Sequence, residues 1–243
     1  MTVTADPTAY GQTWAGRYDE WFDDRDSPTD LVAFVDRFAP DRSVLELGVG
    51  TGRVALPLAR AGYRVHGVDA SGEMLARLAR KPGGDQITRT EADMSDFALP
   101  GRFGAVTCLF SSLFLLPDQD AQIRCLATAA RHTLPGGVVI IEGFVLNPQR
   151  WNNGRSVDTT DAGVSTGVLH RAEQTIETMR LDLDGDAVTV RRNRLRWALP
   201  AELDLMARLA GLDLVFRAQS LAGEPYTDDS DNHVSVYVKP ATD

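Results

Sequence analysis

Val44-Leu45-Glu46-Leu47-Gly48-Val49-Gly50-Thr51-Gly52-Arg53-Val54-Ala55 reads as a buried strand, a tight turn and the opening of a helix. Val44, Leu45 and Leu47 supply the short apolar run that a strand covered on both faces needs. Gly48, Gly50 and Gly52 then alternate with other residues. A residue without a Cβ lets the chain turn sharply and lets a ligand lie against bare backbone. The helix that follows aims its N-terminus and free N–H groups back at that ligand. Glu46 narrows the chemistry, because a carboxylate near the end of a buried strand is costly unless it meets a partner. A cationic ligand would be such a partner.

The rest of the chain sets the class around this turn. Its 243 residues, 43% hydrophobic and 24% charged, describe one ordinary globular domain with an insertion and a sizeable core. A formal net charge of -9 argues against nucleic acid as partner, since such binders carry a basic face. Cys108 and Cys125 sit in apolar surroundings and read as buried free thiols. The N-terminus lacks the basic start and apolar core of a signal peptide. No apolar run is long enough to span a membrane, so a cytoplasmic protein with a small-molecule substrate is expected.

Glu46-Leu47-Gly48-Val49-Gly50-Thr51-Gly52 resembles the first motif of class I S-adenosylmethionine (SAM) dependent methyltransferases, [D/E]-x-G-x-G-x-G. The dinucleotide fingerprint G-x-G-x-x-G is the look-alike, but Arg53 stands where its third glycine would fall. The spacing favours SAM, with S-adenosylhomocysteine as product, over NAD. The resemblance implies that Glu46, Gly48, Gly50 and Gly52 hold the methionine end of the cofactor.

Downstream, Arg53–Ala61 is expected as the first crossover helix, mildly irregular near Pro57. Arg64–Asp69 follows as the second strand. Asp69 ends it about twenty residues after the glycine turn, where a carboxylate takes the ribose hydroxyls of a nucleoside; Ala70 beside it counts with the cofactor site. Ser71–Arg80 is the next helix, and the resemblance puts Met74 against the adenine. Ala92-Asp93-Met94 resembles the motif in which Asp93 accepts from the adenine amino group and the Met94 N–H reads a ring nitrogen. Gly104–Phe110 is the fourth strand, with Phe110 counted to the cofactor site, so Ser111-Ser112-Leu113-Phe114 at its carboxyl end borders the reaction centre.

The Phe-Ser-Ser run resembles that of amino-sugar N-methyltransferases from antibiotic pathways, and places the chain near enzymes of specialised metabolism. Those enzymes often carry a histidine soon afterwards, where this chain has Phe114-Leu115-Leu116. The apolar Leu113, Phe114 and Leu115 suggest a flat or greasy acceptor instead. Asp118–Leu134 is a helix, and Val138–Gly143 the fifth strand, with Glu142 facing substrate or bonding a backbone amide.

Residues 8–24 carry Tyr10, Trp14, Tyr18 and Trp21 at intervals of four, four and three, one face of a helix. Tyr-Asp-Glu-Trp-Phe is similar to the N-terminal helix that folds over SAM in many small-molecule methyltransferases. That resemblance assigns Tyr18 to the cofactor and Trp14 to the substrate. Pro28–Phe38 reads as a packing helix, which closes an N-terminal lid unit of residues 1–40.

Residues 147–198 break the rhythm: a loop over Asn147–Asp161, then strand runs over Thr175–Asp184 and Ala187–Leu199 joined at Asp184-Gly185-Asp186. Arg191, Arg192, Arg194 and Arg196 are expected to form a solvated ladder with acids of the partner strand. In relatives, insertions here build substrate pockets and dimer contacts, so a homodimer is possible. Pro200 starts the last helix, Leu212–Arg217 is the sixth strand, and Asn232–Val238 the last. The family fold is then a doubly wound α/β seven-stranded, mostly parallel sheet of order 3-2-1-4-5-7-6. Its last strand is antiparallel, and a β insertion follows strand 5. Residues 41–146 and 199–243 form the cofactor domain.

An oxygen acceptor would want a base. His233, His170, Glu142 and Tyr226 are the candidates, and His233 is chosen because imidazole exchanges a proton near neutral pH. No metal-ligand spacing is present. The function read from all this is methyl transfer from SAM to oxygen or nitrogen, less readily carbon, of a small natural product. A non-methylating SAM binder and an NAD(P) oxidoreductase are the alternatives.

Overall fold

The computed structural model describes residues 8–22, 27–160, 163–184 and 187–241. Ser43–Leu47 forms β1, buried at all five positions, as its apolar run demands. The N–H groups of Gly48 and Val49 both donate to Val68 O, at 2.8 and 3.0 Å, folding the glycine turn over the end of β2 (Arg64–Asp69). The helix after the turn, α4, spans Ala55–Arg60, two residues later than expected. Gly52 has φ +89°, outside the helical region, so no helix can run through it. Pro57 then lies in the first turn of α4, where a missing N–H has no intrahelical partner to lose. The expected irregularity is absent for that reason.

Seven strands form the main sheet in the order β10-β11-β5-β4-β1-β2-β3. Besides β1 and β2 these are β3 (Thr88–Glu91), β4 (Phe103–Cys108), β5 (Thr133–Phe144), β10 (Asp213–Ala218) and β11 (Asn232–Val238). β11 is antiparallel to both β5 and β10, while β1 to β5 pair in parallel. This is the expected 3-2-1-4-5-7-6 arrangement. Several boundaries of this sheet moved, two of them by more than one residue. β4 stops at Cys108 because Phe110 and Ser111 take φ 55° and 58°, which an extended strand cannot. β5 starts at Thr133, and its register on β4 shifts past Phe103 to absorb Pro135-Gly136-Gly137.

Helices cover both faces. α5 (Gly72–Arg80) is capped by Ser71 and α6 (Gln119–His132) by Asp118, whose side chains accept from Met74 N and Ala121 N; α7 spans Pro200–Leu209. α3 (Pro28–Phe38) buries Leu31, Phe34 and Val35 in the core that also holds α4. It is thus part of the sheet's packing and not of a lid.

The N-terminal stripe is not one helix. α1 covers Ala9–Trp14 and α2 Tyr18–Phe22, separated by a turn at Ala15-Gly16-Arg17, where glycine weakens helix continuation. The side chains of Trp21 and Phe22 lie outside the described residues.

The insertion is a complete second sheet, β6 (Arg155–Thr160), β7 (Gly163–His170), β8 (Thr175–Asp184) and β9 (Ala187–Arg196), antiparallel throughout. The expected loop contained β6, and β7 was not foreseen. β6 is rich in Ser and Thr and β7 in Ser, Thr and Gly. Both carry little apolar alternation, so pairing of β7 on β8 and of β6 on β7 determines them. The turn at Gly185-Asp186 lies outside the described residues. The expected arginine ladder is solvated only in part: Arg192 is exposed and Arg194 pairs with the exposed Glu173, but Arg191 and Arg196 are 7% and 6% exposed. Arg191 pairs with Asp182 and donates to Thr13 O; Arg196 pairs with Glu202 and bonds Gln122. These buried arginines fasten β9 to the helices α1, α6 and α7. No helix among the described residues is long and apolar enough to cross a membrane.

Candidate active site

A cavity of about 330 Å³ opens at the carboxyl ends of β1, β2, β4 and β5. One end of it is walled by Gly48, Gly50, Asp69, Ala70, Met74 and Asp93, with Met94 beside them. Gly50 has φ +53°, and a Cβ built on it would meet nothing within 4 Å, so its backbone lies open to the cavity. Its N–H donates to Asp69 Oδ2 at 2.8 Å, and Ser71 N donates to Oδ1 at 2.8 Å. Burial raises the Asp69 pKa, against the pull of those two N–H groups. Each oxygen keeps a further acceptor site. Asp93 Oδ1 accepts from Ser95 N at 2.8 Å.

Glu46 and Gly52 do not reach the wall. A Cβ on Gly52 would stand 2.3 Å from Leu78 Cδ1; this third glycine allows α4 and α5 to pack. Glu46 lies beneath the turn, 5% exposed. Burial pushes its carboxyl well above the usual range, with Arg53 opposing, and its Oε2 has no hydrogen-bond partner among the described residues. The Arg53 guanidinium lies 4.7 Å from the Phe110 ring centroid.

α1 and α2 close the cavity from above with Tyr10, Gly11, Trp14 and Tyr18. Tyr10 stacks on Trp14 at 6.0 Å and meets Tyr18 edge-on at 6.5 Å. Two polar ties hold this cover. Asp19 Oδ1 accepts from Thr51 Oγ1 and from Lys81 Nζ, at 2.5 and 2.7 Å. Trp14 Nε1 donates to Asn193 Oδ1 of the insertion at 2.9 Å.

The other end is walled by Phe110, Ser111, Ser112, Leu115, Leu116 and Glu142, and by Phe144, Asn193, Leu195 and Asn232. Glu142 Oε2 accepts from Phe110 N at 2.8 Å, and Glu142 O accepts from Ser111 N at 3.0 Å. Phe114, expected at the substrate, is 0% exposed and packs edge-on against Phe144 at 5.0 Å; Leu113 is equally buried. The short helical turn Ser112–Leu115 points those two into the core and leaves Leu115 and Leu116 at the cavity.

His233 also falls outside. Strand alternation sends Asn232 to the cavity and His233 to the opposite face of β11. There it is 0% exposed, with Nδ1 2.9 Å from Ser235 Oγ. Burial, with help from the Arg217 charge, pushes its pKa down to about 4, so it is a neutral packed residue. His170 and Tyr226 are not on the wall either.

The lid residue Tyr10 and Ser112 of the expected border are both on the wall. Sequence reasoning missed Gly11, Leu116, Phe144, Asn193, Leu195 and Asn232. These carry no local signal, since each reaches the wall through tertiary packing. Among the described residues no group of His, Cys, Asp and Glu is placed to hold a metal ion. Fit to a SAM-sized cofactor is supported by the open backbone at Gly50 and the acid pair Asp69 and Asp93 on one wall.

Known proteins match this geometry. A family described as "Methyltransferase domain" matches residues 44–137. The cypemycin N-terminal methyltransferase of a Streptomyces species is 34% identical over 233 residues, 92% of this chain and 94% of its own. The dTDP-3-amino-3,6-dideoxy-alpha-D-glucopyranose N,N-dimethyltransferase of Streptomyces fradiae is 38% identical over 139 residues, 56% of this chain and 53% of its own. The solved structure of the CcbJ methyltransferase from Streptomyces caelestis superposes with a TM-score of 0.87 at 37% identity, covering 97% of this chain and 100% of that one.

Proposed function

The chain belongs to the class I SAM-dependent methyltransferases, and from that premise we propose that it methylates an amine nitrogen on a largely apolar natural product. One observation carries the choice of nitrogen: among the described residues the cavity wall holds the carboxylates Asp69, Asp93 and Glu142 and no lysine, arginine or histidine, an acidic lining that suits a group gaining positive charge on methylation. An amine needs only to arrive unprotonated. Burial raises the pKa values of Tyr10 and Tyr18 and keeps both protonated. The relatives named for N-terminal and amino-sugar methylation agree with this reading. Leu115, Leu116, Phe144 and Leu195 suit an apolar body.

SAM, when bound, supplies a methyl group activated by a positively charged sulfur. In our reading Asp69 takes the ribose hydroxyls, Asp93 and the Met94 N–H take the adenine, and Gly48 and Gly50 leave room for the methionine end. Tyr10, Trp14 and Tyr18 cover the site and exclude water. The cover and the insertion together orient the acceptor, and such alignment contributes roughly 7–11 kcal/mol in well-held reactions.

Incubation with labelled SAM and a panel of apolar amines, phenols and carboxylates tests the proposal. N-methylated product identified by mass spectrometry is expected. Methylation confined to phenols or carboxylates overturns it.

We also propose a homodimer through the outer face of the second sheet. Val157, Thr166, Met179 and Arg192 stand opposite one another across the four strands, so they share a face with Val168, Leu183, Val188 and Val190. Five of these are exposed apolar side chains, among them Val157 at 67%, Leu183 at 58% and Val188 at 59%. Monomers rarely show such a patch, and a two-fold axis across it would pair like with like. Light scattering should give a dimer for the wild type and a monomer for the double variant Leu183→Asp, Val188→Asp. A wild-type monomer refutes the assembly.

A further inference from the structure

Glu142 stands where two independent features meet. It is the one carboxylate on the wall that the cofactor reading leaves without a role, since Asp69 is assigned to the ribose and Asp93 to the adenine. It also anchors an unusual piece of backbone. Phe110 and Ser111 are consecutive non-glycine residues in the left-handed region, φ 55° and 58°. Such conformations are costly and persist where the surroundings over-determine them, often at active sites. Here Glu142 supplies the restraint twice, through Oε2 to Phe110 N at 2.8 Å and through its own carbonyl to Ser111 N at 3.0 Å. The turn holds the Glu142 carboxylate at the cavity, across from the apolar groups that would carry the acceptor's body.

We propose that Glu142 accepts the N–H of the acceptor amine and opposes the positive charge that nitrogen gains, and this rests on the amine reading above. The acceptor nitrogen gives its lone pair to the methyl carbon as the carbon–sulfur bond breaks. The bonding pair leaves on sulfur, and the nitrogen becomes an ammonium whose proton later passes to solvent. Before the step the amine is neutral; after it the positive charge sits on nitrogen. A fixed carboxylate facing that nitrogen therefore binds the later state more strongly than the earlier one, which is the condition for rate acceleration. A hydrogen-bond acceptor at this place also orients the lone pair, because an N–H directed at Glu142 leaves the nitrogen's open side free.

Glu142→Gln separates the charge from the turn, since its amide oxygen can still accept from Phe110 N. The first readout is equilibrium binding to the protein loaded with S-adenosylhomocysteine, with phenethylamine and its neutral isostere 2-phenylethanol as probes. The wild type should bind the amine better than the alcohol. In Glu142→Gln that margin should shrink about 10- to 100-fold, the range for a charge-assisted hydrogen bond. Affinity for S-adenosylhomocysteine should stay unchanged, which also shows that the variant is folded. On an amine that the wild type methylates, kcat/KM should fall by a similar factor. Glu142→Asp keeps the charge on a shorter arm and should retain the preference for amine over alcohol. A wild type that binds both probes equally, a Gln variant that keeps the margin, or an Asp variant that loses it as Gln does, each overturns the proposal. Oxygen methylation by the wild type instead overturns the amine reading itself. N-methylation at full rate by Glu142→Gln leaves that reading standing and removes only Glu142.

Discussion

The two ends of the cavity are assembled differently. The end with Gly48, Gly50, Asp69 and Asp93 is drawn from one continuous stretch, β1 to the loop after β3, in which each strand delivers its residue at its carboxyl end. The end with Trp14, Glu142, Phe144, Asn193 and Asn232 is gathered from four separate segments; Trp14 and Asn193, which bond each other, are 179 residues apart. A site made by consecutive crossover units tolerates change elsewhere, because its geometry is that of the sheet itself. A site made by docking a second sheet and a broken helix onto the first can change its lining without disturbing the cofactor. That division matches a family in which one cofactor meets many acceptors.

The sharpest way to break this comparison lies within the glycine turn. Gly50→Val places a branched side chain in the open space of the cavity at φ +53° and should weaken SAM binding more than 100-fold. Gly52→Val instead drives against Leu78 and Leu56 at φ +89°. It should lower unfolding free energy by about 2–4 kcal/mol, from left-handed strain and overpacking together. Calorimetry and chemical denaturation on both variants read the two effects apart. Equal loss of SAM affinity in the folded proteins would return Gly52 to the cofactor wall.

His233 tests the acceptor end. Its pKa in the folded protein, about 4, is below that of an unfolded histidine, about 6.5. The unfolded state therefore binds more protons between those values. Stability contributed by neutral His233 is complete above about pH 6.5 and is lost as pH falls toward 4, by roughly 3 kcal/mol in all. His233→Asn should flatten that part of the stability–pH curve while leaving the rate on an amine within a few-fold. A hundredfold loss of rate with unchanged folding would put a base back into the mechanism.

Smaller effects follow from single hydrogen bonds. Asp69→Ala should weaken SAM binding by about 1–3 kcal/mol, measured calorimetrically, and leave acceptor affinity for the loaded enzyme alone. Asn193→Ala removes the acceptor of the Trp14 indole N–H and should cost about 1 kcal/mol. That loss is expected in the KM for the acceptor and not in SAM affinity. A matching loss of SAM affinity would mean that the insertion supports both ends of the cavity.

The sequence by itself determined the parts that local chemistry dictates. An apolar run must be buried, three alternating glycines must turn, and a carboxylate ending the second strand must face the carboxyl edge of the sheet. The strand order, the closing antiparallel pair of β10 and β11, and the cofactor class came from the family resemblance that the glycine motif carries. Tertiary structure decided the rest. It separated Gly50, open to the cavity, from Gly52, packed on Leu78, although the two look alike in a motif. It turned His233 to the far face of β11 and Asn232 to the cavity, because a one-residue difference in a strand exchanges faces. It made strands of β6 and β7, whose own residues ask for little, and through β9 brought Asn193 to Trp14. Backbone turns and burial are properties of neighbours in sequence. Which side chains share a cavity depends on how distant elements pack, and no short window of residues contains that.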